Sequence, residues 1–395
     1  MGLTSRARLP MVPVILAGFA AFLDLYSTQP LLPLLARTFG ASTFEVGLTI
    51  TAPTVAVAIT APFIGRLADR LGLRRVIVGS AFTLTAATVL AATSSSLPQL
   101  IVWRFVQGIA TPGIFASAVA YIHEVWPATH AGRATAAYMS GTVLGGFTGR
   151  AVAGVVAADA SWQAALVALG ILTGAVAVIL WLSLPAEPVV REWGGVAGGS
   201  FAHLFGNRRL MATCGVGFCV LFTQVAMFTY VTFHLSAAPY SLSTTALGWI
   251  FAVYLVGAVV TPFSGRWIDS HGHRAGMASA MGIGGVGALL TLVPALPVII
   301  CGLALCATGV FVAQATSSSY IGAVTTQDRA LAVGLYSTFY YAGGSVGAAL
   351  PAALWTRGGW PACVALVVAI QTTGVAIAFT QWSPAPAHHD VVLPD

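Results

Sequence analysis

Residues 60–75 read TAPFIGRLADRLGLRR and residues 260–275 read VTPFSGRWIDSHGHRA. Pro62, Phe63, Gly65, Arg66, Asp69, Gly72 and Arg74 return as Pro262, Phe263, Gly265, Arg266, Asp269, Gly272 and Arg274. Each copy lies between two long apolar runs. A short charged loop of Gly-x-x-x-Asp-x-x-Gly-x-Arg form, used once in each half of an apolar chain, is the mark of a duplicated membrane protein.

Composition agrees. Hydrophobic residues make up 57% of the 395 and charged residues 7%, against about 25% charged in soluble domains. Lipid removes the need for a charged surface but requires every backbone group to be satisfied inside helices or a closed barrel. Twelve apolar runs of helical length lie near 11–36, 44–64, 75–95, 98–121, 133–157, 162–184, 210–234, 243–263, 274–294, 296–320, 331–354 and 360–382. They are too long for the roughly 10-residue alternating strands of a barrel. The expected fold is all-α: twelve transmembrane helices in two pseudo-symmetric six-helix bundles, residues 1–184 and 210–382. A Gly- and Pro-bearing cytoplasmic linker (185–209) joins them, and a cytoplasmic tail (383–395) follows. Within the linker, Ser200 is an expected cap for a short surface helix.

All 17 basic residues are arginine. Most, including Arg6, Arg8, Arg66, Arg70, Arg74, Arg75, Arg133, Arg191, Arg208, Arg209, Arg266, Arg274 and Arg329, fall in connections that lie on one side if the runs alternate direction. Only Arg37 and Arg357 fall on the other. The positive-inside bias puts both termini in the cytoplasm. The net charge of +6 therefore reflects orientation in a bilayer, with no nucleic-acid partner expected. Cys214, Cys219, Cys301, Cys306 and Cys363 sit in apolar runs without metal-ligand spacing, so no metal or cofactor is expected. Neither a nucleotide-binding loop nor a Ser-His pair at membrane depth marks an enzyme or an ATP-driven pump.

The repeat extends beyond the loop: Gly145, Gly146 and Gly149 match Gly343, Gly344 and Gly347, Trp162 matches Trp360, and Tyr121-Ile122 matches Tyr320-Ile321. The loop at 65–75 resembles the signature loop between the second and third helices of the major facilitator superfamily. Leu100-Ile-Val-Trp-Arg104-Phe-Val-Gln107-Gly108 resembles the family's fourth-helix motif. Gly141-x-x-x-Gly145, with Gly149, resembles its fifth-helix antiporter motif, departing from it where Gly146 replaces the usual proline and Arg150 follows. Leu25 to Pro33 resembles the first helix of bacterial efflux-type members. The resemblance implies a monomeric, multi-pass transporter of the bacterial inner membrane, working by alternating access on a small-molecule substrate. It further implies that the loop residues Gly65, Asp69, Arg70, Gly72 and Arg74, with Asp269 and Arg274, lock the halves in the outward-facing state.

An ionised group at mid-membrane costs about 2.5–3.5 kcal/mol on insertion scales, which singles out Asp24, Arg104 and Arg150. At about 1.5 Å per residue they lie roughly 20, 21 and 25 Å from the inner face of a core about 30 Å thick. An Asp24–Arg104 pair with Arg150 nearby is one reading. Arg104 capping carbonyls in the Pro-containing first run, and Arg150 snorkelling to the interface, are the others. Arginine does not titrate, so Asp24 is the expected proton site, with His234 the only other embedded titratable candidate. Tyr26, Gln29, Gln107, Gln224, Tyr230, Tyr254, Gln314, Tyr336 and Tyr340 are polar groups on apolar helices and are expected to line a substrate cavity. The expected function is proton-coupled efflux of small drug- or sugar-like molecules. The alternative is an organic-anion transporter or exchanger using Arg104 and Arg150.

Overall fold

The computed structural model describes residues 11–185, 201–325 and 329–383. Arg6, Arg8, Arg191, Ser200, residues 186–200 of the expected linker and residues 384–395 of the expected tail lie outside the described residues. The helices are α1 (Val12–Leu23), α2 (Leu32–Phe39), α3 (Thr43–Leu71), α4 (Leu73–Ala92), α5 (Leu97–Val125), α6 (Ala128–Asp159) and α7 (Trp162–Ser183). After the short α8 (Phe201–Gly206) come α9 (Arg208–Ser236), α10 (Thr244–Ile250), α11 (Val253–His271), α12 (His273–Leu290), α13 (Leu296–Val324), α14 (Arg329–Ala349) and α15 (Pro351–Gln381). Among the described residues, nine helical segments are long and apolar enough to cross a membrane on their own. The other three crossings depart from that rule for visible reasons. The first is split into α1 and α2, α12 carries His273, Arg274 and five glycines in its 18 residues, and α14 is diluted by glycine, serine and tyrosine.

The fold is thus twelve crossings in two six-helix bundles, and the duplication is written in the packing. In the first bundle α1 lies on α6, α3 and α4 on α5, and α4 on α7; in the second α9 lies on α14, α11 and α12 on α13, and α12 on α15. The closest approaches repeat too. A Cβ on Gly145 or Gly149 would collide with the carbonyl oxygens of Phe19 and Leu23, and one on Gly343 or Gly347 with those of Phe218 and Phe222. These glycines let two backbones touch. Gly141 does the same against Ile15.

Helix ends follow local chemistry. Ser42 forms a capping box with Glu45, donating its N–H to Oε2 at 2.7 Å while its hydroxyl accepts from Glu45 N at 3.2 Å. Glu45 therefore belongs to the first turn of α3. Ser243 caps α10 in the matching place of the second half. Asn207 caps α9 through Leu210 N–H at 3.1 Å. Gly72 and Gly272 join α3 to α4 and α11 to α12 in a single residue at φ 86° and 84°, a region that costs any other residue strain. Pro351 and the left-handed Gly359 (φ 59°) end the eleventh crossing at Ala349 and start the twelfth at Trp360, so the run read as 331–354 stops short.

The ends of the last helix in each half are clasped alike. Arg74 donates to Leu184 O at 2.8 Å and Trp181 O at 2.7 Å, and Tyr121 donates to Pro185 O at 2.7 Å. In the second half Arg274 donates to Trp382 O, and Tyr320 accepts from Ser383 N at 2.8 Å.

The halves meet along α3–α14 and α6–α10. Thr51 donates to Ser345 O at 3.2 Å, Ser345 to Thr54 Oγ1 at 2.9 Å and Thr338 to Ala58 O at 3.1 Å. Gly154 and Gly248 let α6 and α10 touch. These contacts lie toward the Gly40 end of the molecule. Toward the Gly72 end, open space surrounds Gly65 and Gly265, and Phe63, Leu67 and Phe263 are exposed.

Candidate functional site

The first crossing is interrupted partway along its length. Pro30 and Pro33 lack the N–H that would continue the ladder, so the chain turns through Asp24–Thr28 and a 3-10 turn at Gln29–Leu31 before resuming as α2. In a membrane the freed carbonyls need partners, and Arg104 supplies them. Its Nη1 donates to Asp24 O at 2.8 Å and its Nη2 to Leu25 O, while Nε donates to Thr49 O at 3.0 Å. Nη1 also donates to Gln107 Oε1, and Gln107 Nε2 donates to Thr88 Oγ1 at 2.8 Å. Of the two arrangements open to Arg104 from sequence, the structure has the carbonyl cap.

Asp24 lies beside this clamp but outside an ion pair. Its carboxylate Oδ2 accepts from Thr173 Oγ1 at 2.7 Å, and Oδ1 has no hydrogen-bond partner. The side chain is fully buried.

Arg150 is built differently. It is 3% exposed, which ends the interfacial alternative. Nε donates to Gln29 Oε1 at 2.7 Å and Nη1 to Gly146 O at 2.6 Å. A Cβ at Gly146 would lie 3.3 Å from Nη1, so the departure from the proline of the fifth-helix motif makes room for this arginine. Its guanidinium carbon stands 5.1 Å from the Tyr26 ring centroid, 4.7 Å from that of Phe251 and 5.0 Å from that of Tyr254. Tyr26 lies in the interruption of the first crossing. Phe251 and Tyr254 flank a second interruption, where α10 gives way to α11. Gln29 also donates to Thr229 Oγ1 of α9 at 3.2 Å. Side chains from both halves therefore close around Arg150.

The remaining cavity candidates divide. Tyr336 and Tyr340 stack at 5.8 Å, with Tyr341 edge-on to Tyr340 at 5.5 Å, and Tyr341 stacks on Phe115 across the halves at 5.9 Å. Gln224 lies beside the Tyr254 hydroxyl. The structure does not bring Tyr230 to this group: its hydroxyl donates to Ala348 O at 2.9 Å and its ring packs on Phe233 and Trp355. Gln107 is consumed by the Arg104 clamp, and Gln314 is partly buried on α13. His234 stacks on Trp360 at 5.3 Å, away from the arginines. Thr173, Phe251 and Tyr341 belong to the site but carry no sequence signal of their own; Tyr341 is marked only by its neighbour Tyr340. Of the residues expected to gate, Asp69 and Asp269 stand on the parted Gly72 end, Arg70 is exposed there, and Arg74 and Arg274 bond the ends of α7 and α15. A separate groove of about 710 Å³, lined by Ser42, Thr51, Ser345 and Thr356 among others, contains none of these candidates. Among the described residues no cluster of side chains suits a metal ion.

The sequence model of the Major Facilitator Superfamily matches residues 14–241 and again 231–392. The chain is 32% identical over 358 residues to the uncharacterized MFS-type transporter YybF of Bacillus subtilis (strain 168), covering 89% of this chain and 88% of that protein. It is 28% identical over 347 residues to the inner membrane transport protein YnfM of Escherichia coli (strain K12), covering 87% and 83%. The fold matches a bacterial homologue of the human lysosomal transporter Spinster, crystallised in an inward-facing and occupied conformation, with a TM-score of 0.75, 16% identity and coverage of 95% and 98%. With its repeated signature loop, its paired bundles and a match spanning nearly every residue, this chain belongs to the Major Facilitator Superfamily.

Proposed function

We propose that the protein is a secondary active transporter that exports a small organic molecule in exchange for protons. It sits in the cytoplasmic membrane with both ends of the chain inside. The observation that carries the coupling is the state of Asp24. It is a fully buried acid, with Oδ2 occupied by the Thr173 hydroxyl and Oδ1 unpartnered, so Oδ1 is the atom that takes the proton. The backbone carbonyl of the same residue is held by Arg104. Gain or loss of the proton is thus felt directly at the interruption of the first crossing, whose Tyr26 and Gln29 touch Arg150. Exchange, rather than co-transport, is supported by the resemblance of Gly141, Gly145 and Gly149 to the fifth-helix antiporter motif; these glycines bring α6 into backbone contact with α1. With the arginine bias setting the orientation, the parted Gly72 end faces the cytoplasm, and the conformation is inward-facing.

Transport in proteoliposomes under an imposed pH gradient, screened over cationic, neutral and anionic compounds, tests this. Asp24→Asn is expected to abolish gradient-driven accumulation while leaving substrate counterflow. Full gradient-driven transport by Asp24→Asn would remove Asp24 from the coupling.

A further inference from the structure

Arg150 is a cation without a counter-ion. Among the described residues no carboxylate pairs with it: Asp24, the acid at similar depth, is held by Thr173. A buried charge of this kind is costly unless paired. The three aromatic rings around it return about 0.5–2 kcal/mol each at most, and they do not neutralise it. A guanidinium has five N–H donors. One, on Nε, goes to Gln29, and one on Nη1 goes to Gly146 O. The outer Nη1–Nη2 edge is left, with no protein acceptor, and that edge is the fork that receives a planar carboxylate through two parallel hydrogen bonds. The Tyr26 hydroxyl, on a ring already against this guanidinium, is buried without a hydrogen-bond partner. Unlike Arg104, whose donors are spent on three backbone carbonyls and Gln107, Arg150 is arranged to bind something.

Its position adds a second argument. The two interrupted crossings, one from each half, converge here. Interruptions of membrane helices are tolerated where they line a site. An occupant of the Nη1–Nη2 edge would touch Tyr26 from the first half and Tyr254 from the second. It would also act through Gln29 on Thr229 of α9.

We propose that Arg150 anchors the carboxylate of the transported molecule, so that the substrate class is small organic monocarboxylates. The single positive charge sets the charge of the cargo, and Tyr26, Phe251 and Tyr254 favour an apolar body behind the carboxylate. The inference rests on the transport reading above and names its substrate.

The test uses the purified full-length protein and three matched probe sets: benzoate, phenylacetate and hexanoate, each beside its primary amide and the corresponding amine. Thermal stability is measured with each probe at pH 7.5. At least one carboxylate is expected to raise Tm where its amide and amine do not. Arg150→Gln should lose that shift, and Arg150→Lys should keep a reduced one, since the point charge remains but the fork is gone. Size-exclusion profiles check that the variants are folded, and the wild-type comparison of carboxylate with amide does not depend on any variant. Absence of a carboxylate-specific shift in all three sets overturns the proposal, as does a shift that survives in folded Arg150→Gln. The two readings fail separately. pH-gradient-driven movement of neutral or cationic compounds that is indifferent to Arg150→Gln would leave the transporter and remove the anion site. Carboxylate binding that depends on Arg150, with no movement of any probe in liposomes, would do the reverse.

Discussion

Arg104 and Arg150 bring the same charge to similar depth, and the chain resolves the two in opposite ways. Arg104 is a structural clamp: its donors meet the carbonyls of Asp24, Leu25 and Thr49. Arg104→Gln takes the donor from the Leu25 and Thr49 carbonyls in a fully buried place, at about 1–3 kcal/mol each, while Asp24 O keeps the Ser27 N–H and hydroxyl. A loss on the order of 3 kcal/mol or more is expected, read as a clear drop in the Tm of the detergent-solubilised protein. If Arg104→Gln matched the wild type in Tm but failed in transport, the residue would be functional rather than structural. Depth arithmetic on the sequence found all three charged residues and their shared level, because rise per residue is fixed by the helix. It could not assign their partners. Whether Arg104 meets the carboxylate of Asp24 or its carbonyl depends on where a helix unwinds, and Thr173, which takes the carboxylate, lies 149 positions away in sequence.

At the scale of single elements, glycine carries the repeat, and its positions fall into two kinds. Gly145 and Gly149 are filled by the backbone of α1, whereas Gly65 on α3 faces open space in this conformation. Gly145→Val is therefore expected to destabilise the fold, by a few kcal/mol as in overpacked cores, and to lower both Tm and yield. Gly65→Ala is expected to leave Tm within about 1 °C, a change well below the several degrees that 1 kcal/mol produces in a small domain. The locking role expected of this loop predicts slower transport nonetheless, since Gly65 would then meet the other half in the opposite state. Equal Tm loss in both variants would contradict this separation. The sequence showed these glycines as a spacing pattern and the loop as a duplicate. It did not show that Arg74 and Arg274 clasp the ends of α7 and α15, since the acceptors are backbone carbonyls and have no residue signature.

For the whole molecule, the contacts between halves cluster at one end. Thr54 and Ser345 lie in hydrogen-bond contact across the halves at 2.9 Å. A Thr54→Cys/Ser345→Cys pair, made on a background in which Cys214, Cys219, Cys301, Cys306 and Cys363 are replaced, is expected to form a disulfide under mild oxidation. It should stop substrate counterflow, and reduction should restore it. Continued counterflow with the disulfide intact would mean that this end does not open during the cycle. The two-bundle architecture was readable from twelve apolar runs and one repeated loop. Which end is sealed was not, because the same helices and the same sequence build both states.

The interruptions of the first and eighth crossings also bear on ancestry. By the offset of the repeats, Arg150 corresponds to Ala348, Asp24 to Thr223, and Phe251 and Tyr254 to Thr51 and Thr54. Each half has kept one broken helix, but a different one, and the first half holds the charges while the second supplies two of the rings around Arg150. A protein assembled from two copies of the first half would bring two bare guanidinium groups to its centre, with no Phe251 or Tyr254 beside either. A protein made of two second halves would have rings and no charge. The present pair is a heterodimer in a single chain, and neither partner can any longer stand in for the other.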